Sequence, residues 1–245
     1  MIAIGTSGWE YDHWTNVFYP NNLKRNKRFE YYTTFFNTVE VNYSFYRIPK
    51  ETTFSKWRKH SPDKFIFSLK ASRYITYSKK PKTVSYTLYL FSKRAYLLGE
   101  KRGPILIQFP KRYKKDTMAL VSLIAFLRND YRWALEFRDE SWFDEEVYKI
   151  LRNKNIALAF IDSPDINTPT IQTGDFVYFR LHGRKIWYAS SYTQKELKEI
   201  SKKIKFFSNE GRDVYVYFNN DYRGYAVKNA LYLKKILGQF PESKT

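Results

Sequence analysis

Eight short segments rich in β-branched and aromatic residues recur along the chain, and a helical pattern follows nearly all of them. They are Ile2–Ser7, Thr38–Asn42, Phe65–Lys70, Ile105–Pro110, Trp133–Arg138, Ile156–Asp162, Phe176–His182 and Asp213–Asn220. Repetition of this kind is typical of βα units around a parallel sheet, and eight units are the number that closes a barrel. The sequence therefore predicts an α/β fold, a (β/α)8 TIM-type barrel that occupies residues 1–245 as a single domain.

The helices are predicted from apolar residues at steps of three or four, as in Ala226, Ala230, Leu233 and Leu237 of the last one. The predicted spans are Phe29–Phe36, Glu51–His60, Thr83–Lys101, Thr117–Leu127, Asp144–Asn153, Gln194–Ser208 and Tyr225–Leu237. The sixth connection, Ser163–Thr173, contains two prolines. We expect it to lack a regular helix.

Polar residues collect at one end of the predicted strands. Side chains alternate between the two faces of a strand, so Val39 and Val41 should face the helices and Glu40 the barrel axis. The same alternation assigns these further polar residues to the strand ends: Asn42, Lys70, Gln108, Glu136, Arg138, Asp162, Arg180, His182 and Asn219. Barrel enzymes build their sites at the C-terminal ends of the strands, and this pattern therefore predicts a functional site there. The alternative is a salt-bridged polar plug that fills one end of the barrel.

Composition favours an anionic partner. The formal net charge is +19, and a surface of this charge attracts phosphates and nucleic acid, although solvated lysine-rich helix faces would produce the same count. The chain has no cysteine, which excludes disulfides and thiolate chemistry. No apolar run approaches the length of a membrane-spanning helix and no leader pattern is recognisable, so we expect a cytoplasmic protein without a membrane partner.

The loops that follow the predicted strands interleave cations and aromatic rings. They include Arg73, Tyr74, Tyr77, Lys79, Lys80, Lys111, Arg112, Lys185, Trp187 and Tyr188. The loops after the first, second and eighth strands add Trp9, Tyr11, Trp14, Phe18, Tyr19, Phe45, Tyr46, Tyr222 and Tyr225. Such a mixture is typical of surfaces that contact phosphates and stack on bases.

Motifs at the strand ends resemble the YecE-like barrels, a family defined by a domain of unknown function, number 72. The matching motifs include Gly5-Thr6-Ser7-Gly8-Trp9, Thr38-Val39-Glu40-Val41-Asn42, Gln108-Phe109-Pro110, Glu136-Phe137-Arg138-Asp139, Arg180-Leu181-His182-Gly183 and Tyr217-Phe218-Asn219-Asn220-Asp221. The resemblance runs from Gly5 to the last helix and implies a TIM-type barrel, but it implies no activity. Many members have His after an Ile-Thr pair, where this chain has Tyr77. We therefore do not expect this chain to use a mechanism that requires this imidazole.

Several chemistries fit these residue types. Hydrolysis or transfer at a phosphate ester would use Glu40 or Glu136 as base and His182 as acid, with Asp162 as a further catalytic candidate. The candidate substrate-binding residues are Thr6, Asn42, Tyr46, Lys70, Gln108, Arg138, Arg180, Tyr217, Asn219 and Asn220. Two glutamates would also suit a glycosidase, and the acidic residues with His182 would suit a divalent metal, although no cofactor motif is present. The alternative of a different class is a non-catalytic barrel that binds a nucleotide or nucleic acid.

Overall fold

Eight parallel strands form a nearly closed barrel in the computed structural model of the protein, which describes residues 1–78 and 80–239. The strands are β1 (Ile2–Thr6), β2 (Thr38–Val41), β3 (Ile66–Lys70), β4 (Arg102–Gln108), β5 (Trp133–Glu136), β6 (Ala157–Asp162), β7 (Phe176–Leu181) and β8 (Asp213–Phe218). Their order in the sheet is β1-β8-β7-β6-β5-β4-β3-β2, with every neighbouring pair parallel. The predicted barrel is therefore confirmed.

Helices surround the barrel in the predicted order. They are α1 (Arg28–Phe35), α2 (Tyr43–Tyr46), α3 (Glu51–His60), α4 (Tyr74–Tyr77), α5 (Pro81–Ala95), α6 (Thr117–Ile124), α7 (Glu145–Asn153), α8 (Gln194–Asn209) and α9 (Tyr225–Ile236). The predicted helix Thr83–Lys101 is divided, because α5 ends at Ala95 and a 3-10 turn containing a left-handed Gly99 follows. Residues 163–175 contain no helix, as predicted. None of the helices found in the described ranges is long and apolar enough to cross a membrane.

Two apolar layers divide the interior. The larger lies between the barrel and the helices, and a smaller one fills the barrel axis with residues such as Ala3, Leu106 and Tyr178. Within the axis, the hydroxyl of Tyr217 lies 2.7 Å from Thr38 Oγ1 and 2.7 Å from Ser68 Oγ. Side chains therefore fill the lower barrel, and a polar ligand has to approach from the C-terminal ends of the strands.

The seam between β1 and β2 closes without a regular ladder. The two strands approach so closely that a Cβ added to Gly5 would lie 2.3 Å from the carbonyl oxygen of Thr38. The hydroxyl of Tyr32, on α1, accepts the Thr6 N–H at 3.1 Å and donates to Thr38 O at 3.0 Å. The Gly8 N–H reaches the Glu40 carbonyl at 2.9 Å. One tyrosine hydroxyl thus replaces a ladder hydrogen bond.

We predict that Tyr32→Phe lowers the free energy of unfolding by about 1 to 3 kcal/mol, because a buried N–H and a buried carbonyl lose their common partner. Urea unfolding followed by circular dichroism measures the change. Tyr31→Phe is the matched control, since Tyr31 lies on the same helix but its hydroxyl has no hydrogen bond in the described structure. Equal stability of the two variants would contradict the bridging role of Tyr32.

Candidate functional site

Arg180, an inward residue of β7, occupies the centre of the barrel at its C-terminal half. Its guanidinium is completely buried and connects two glutamates from other strands. Nε and Nη2 donate to Glu40 at 3.0 and 2.7 Å, and Nη1 donates to Glu136 at 2.5 Å. A buried cation needs such partners, since an unpaired charge in the interior is very costly.

Glu40 has its acceptor capacity filled by this arrangement. Oε1 accepts from Ser7 Oγ at 2.7 Å and Oε2 from the Tyr178 hydroxyl at 2.7 Å, in addition to the two bonds from Arg180. A carboxylate offers about four lone-pair positions, and four donors occupy those of Glu40. Ser7 and Tyr178 were not among the predicted site residues. Tyr178 could have been found, because it is inward two residues before Arg180.

Glu136, at the end of β5, lies between two guanidinium groups. Oε2 accepts from Arg180, and Oε1 accepts from Arg138 Nε at 2.6 Å. Burial alone would raise the pKa of Glu136, but Arg180 and then Arg138 outweigh it and hold that pKa well below its usual range. The carboxylate is therefore ionised at any physiological pH and is a poor proton acceptor. Glu40, Arg180 and Glu136 form the ion-paired plug that the sequence allowed.

Above this plug, the side chain of Lys70 ends over an aromatic ring. Its Nζ lies 4.0 Å from the centre of the Phe45 ring, and in the described part of the chain it forms no hydrogen bond or ion pair. Burial, and next the charge of Arg180, lower the pKa of Lys70 from 10.5 to about 7. At neutral pH a large fraction of the Lys70 side chains is therefore an uncharged amine.

His182 follows β7 and is also completely buried. Its Nδ1 lies 3.2 Å from Asn219 Nδ2, an amide donor, so the neutral ring carries its proton on Nε2. Burial, and after it Arg180, keep the pKa of His182 well below 6.5. Nε2 has no hydrogen-bond partner among the described residues. His182 thus presents a neutral, unused donor.

Two unused acceptors belong to described residues that face the axis at the same end of the barrel, by the alternation of β2 and β4. Asn42 Oδ1 and Gln108 Oε1 are buried without a hydrogen-bond partner in the described structure. Glu40 pairs with Ser68 in the β2–β3 register, which places Asn42 beside Lys70 two residues further along. Gln108 pairs with Glu136 on β5. Buried polar atoms without partners are uncommon in proteins and point to a missing ligand or water.

Arg138 completes this group. Its side chain is 16% exposed, and Nη1 donates to the Tyr188 hydroxyl at 3.1 Å while the guanidinium lies over the Trp187 ring. Nη2 forms no hydrogen bond to any residue that the structure describes. The name mouth cluster is used below for Asn42, Lys70, Gln108, Arg138 and His182.

The remaining predicted site residues lie elsewhere. Asp162 faces the outer side of the barrel, where it pairs with Arg184 at 3.0 Å. It shares the side of β6 that carries Phe160, a residue of the outer apolar layer. The prediction that Asp162 joins the glutamates at the axis is therefore wrong, because side chains alternate along β6 and that of Asp162 faces the outer side of the barrel.

Four further candidates also lie outside the mouth cluster. Thr6 faces outward at the β1/β2 seam, with Oγ1 2.6 Å from Gly8 O. Asn220 Nδ2 donates to Ser190 O and to Asn229 Oδ1 on α9. Tyr217 lies deeper in the barrel axis, and Tyr46 is exposed on the rim. These placements favour structural roles for Thr6, Asn220 and Tyr217.

No three His, Cys, Asp or Glu side chains come together as possible metal ligands within residues 1–78 and 80–239. Glu40 and Glu136 are engaged by arginines, and Asp162 is engaged by Arg184. The acidic residues that suggested a divalent metal are therefore used in ion pairs.

The aromatic rim is smaller than the sequence suggested. Trp14 and Tyr19, in the connection after β1, are buried, and so is Phe45 on α2. Lys79, one of the predicted rim cations, lies outside the described residues. Tyrosines that are each at least 40% exposed do follow several strands: Tyr43, Tyr46, Tyr74, Tyr77, Tyr188 and Tyr222. These six residues are called the rim tyrosines below.

The family model described as protein of unknown function DUF72 matches residues 3–244. Among curated proteins, the UPF0759 protein YunF of Bacillus subtilis is 28% identical over 270 residues, covering 97% of this chain and 95% of that protein. The UPF0759 protein YecE of Escherichia coli K12 is 22% identical over 68% of this chain and 61% of its own length.

Solved structures agree with the barrel. A DUF72 family protein of Thermotoga maritima superimposes with a TM-score of 0.86 and 31% identity, covering 97% of this chain and 99% of that one. A DUF72 family protein of Enterococcus faecalis gives a TM-score of 0.85 at 22% identity over 99% and 97% of the two chains, and this second likeness shows the fold alone. The family that the motifs suggested is confirmed.

We predict that Glu40→Gln destabilises the protein by about 3 to 5 kcal/mol, because it removes half of the charge that compensates buried Arg180. Thermal and urea unfolding measure the loss. Glu30→Gln is the matched control, since it breaks an exposed ion pair with Lys27 and should leave stability within error of wild type. A small effect of Glu40→Gln would contradict the structural role of the plug.

Proposed function

Because the chain belongs to the DUF72 family of proteins of unknown function, we propose a function from its own site: it is an enzyme that binds a phosphate-containing small molecule at the barrel mouth. The unused hydrogen-bonding atoms of the mouth cluster carry this proposal. His182 Nε2 is a free donor, and Asn42 Oδ1 and Gln108 Oε1 are free acceptors. Leaving such atoms unpaired costs about 1 to 3 kcal/mol each, a cost that a ligand with oxygen acceptors and hydroxyl donors removes.

The charges support an anion. The two glutamates are matched by Arg180 in the plug and by Arg138 of the mouth cluster, so these four charges sum to zero. Lys70 then adds positive charge without a carboxylate partner, and Arg138 keeps an unused part of its guanidinium at the partly exposed mouth. A guanidinium binds phosphate oxygens through parallel N–H groups, and a lysine adds a point charge.

Neither glutamate is suited to the acid–base roles that the sequence suggested. Glu40 has no free acceptor position, and the lowered pKa of Glu136 makes it a weak base. We therefore assign Lys70 as the group that gives and takes a proton near neutral pH, and His182 as a hydrogen-bond donor to a substrate oxygen. Hydrolysis or transfer at a phosphate ester stays a prediction from the sequence.

A test of the anion site uses sulfate, whose charge does not change between pH 6.5 and 9. Anion binding favours the charged form of Lys70 and so raises its pKa above about 7. Between pH 7 and 9, each sulfate that binds should therefore be accompanied by the uptake of at most about one proton, and the affinity for sulfate should fall as pH rises. Calorimetry in buffers of different ionisation enthalpy measures both quantities.

In the same experiment, Lys70→Met should bind weakly and without this pH dependence, and Arg138→Gln should bind weakly at every pH. Lys56→Met, which removes an exposed lysine of α3 outside the mouth cluster, is the matched control and should behave as wild type. Affinity in the wild type that does not change with pH would contradict a role for Lys70 in anion binding.

The rim tyrosines favour one alternative, a non-catalytic barrel that binds single-stranded nucleic acid. Stacking on each ring contributes about 1 to 3 kcal/mol, and exposed cations such as Arg47 and Arg73 lie beside these rings.

Fluorescence anisotropy with a labelled single-stranded oligonucleotide tests this alternative. The enzyme proposal predicts only weak binding that Tyr46→Ala does not change. Tight, salt-sensitive binding that falls in Tyr46→Ala and Tyr77→Ala but not in Lys70→Met would establish the alternative instead.

A further inference from the structure

The mouth cluster contains an amine placed for covalent chemistry. We propose that Lys70 forms an imine with the carbonyl carbon of a small phosphorylated aldehyde or ketone. This inference rests on the proposed function, in which the phosphate is bound by Arg138. Here Arg138 holds the phosphate, and Lys70, which a free sulfate would protonate, reacts in its neutral form with the carbonyl group.

The position of Nζ is the first observation. Its approach to the Phe45 ring at 4.0 Å, and the absence of any hydrogen bond to the described residues, leave the nitrogen lone pair uncommitted when the amine is neutral. Lys101 is an instructive contrast, since it is also buried but its Nζ donates to Arg58 O at 2.8 Å and to Ser61 O at 2.7 Å. Lys101 has the contacts of a structural lysine, and Lys70 does not.

The neighbouring charges are the second observation. Burial is the largest effect that disfavours the charged form of Lys70, and Arg180 and Arg138 add to it; Glu136 and Glu40 act in the opposite direction but are bound to these arginines. A lysine that is buried beside other cations is the type of amine that forms imines in enzymes, because it is a free base at neutral pH. Lys70 remains 9% exposed, which leaves an approach from the mouth.

The unused polar atoms fit the intermediates of this reaction. Lys70 attacks the carbonyl carbon, a C–N bond forms, and the carbonyl oxygen gains a proton to give a carbinolamine. His182 Nε2–H is an unused donor for that oxygen, and Gln108 Oε1 is an unused acceptor for a hydroxyl hydrogen. The oxygen then leaves as water with two hydrogens from the amine, and the C=N bond forms. Atoms and charge balance without a further reagent.

The test uses pyridoxal 5′-phosphate, a phosphorylated aldehyde, as the probe at a substoichiometric amount and pH 7.5. Borohydride reduces any imine to a stable secondary amine, and mass spectrometry of the digested full-length protein locates it. Because its pKa is lowered to about 7, Lys70 is largely a free amine at this pH, and it should be labelled at least about tenfold more than Lys101, whose Nζ donates to two carbonyl oxygens, or exposed Lys56. The two other lysines are internal controls in the same sample.

Two comparisons separate the imine from the phosphate site. Lys70→Arg should abolish the preferred labelling while circular dichroism shows a folded protein, and Arg138→Gln should reduce the preference for pyridoxal phosphate over pyridoxal. Sulfate binding with unlabelled Lys70 would overturn the imine and leave the proposed function standing. Equal labelling of Lys70 by pyridoxal and pyridoxal phosphate, without competition by inorganic phosphate, would uphold the imine and overturn the phosphate site.

Discussion

The ion-paired contact of Arg180 with Glu40 and Glu136 is the interaction on which the upper half of the barrel depends. It joins β7 to β2 and β5 across the axis, at a depth where water cannot solvate any of the three charges. Each glutamate gains further donors, Ser7 and Tyr178 for one and Arg138 for the other. Because breaking a buried pair leaves an uncompensated charge, these contacts hold the strand ends in one arrangement.

The plug also determines the chemistry above it. Since its glutamates are occupied, the mouth has guanidinium charge nearby but no free carboxylate. Burial and that charge lower the pKa of Lys70 and keep His182 neutral. Burial, together with the charge of this structural ion pair, thus leaves an uncharged amine at the end of β3 and a neutral imidazole after β7, both at the usual position of a barrel active site. The proposed site and the plug, which the sequence presented as alternatives, lie together at the C-terminal end of one barrel.

Much of this could be predicted from strand periodicity. Alternation placed Glu40, Lys70, Gln108, Glu136, Arg180 and His182 on the axis, because inward and outward residues of a strand follow strict parity. Asp162 obeys the same rule and faces outward, and its prediction was wrong because it was chosen for its polar side chain at a strand end and not for its parity. The burial of Trp14 and Tyr19 was also missed, because a loop composition does not reveal whether its rings fold back over the barrel.

The sequence by itself determined the fold class, the order of the strands and the end at which polar residues gather, since these follow from local periodicity and from motifs. Only the tertiary structure decided which charges pair. Glu40 and Arg180 are 140 residues apart, and no local pattern states that their side chains meet or that four donors fill one carboxylate. The same long-range packing leaves Lys70 without a carboxylate partner among the residues that the structure describes. Proton affinities depend on burial and neighbouring charge, and both are properties of the folded barrel.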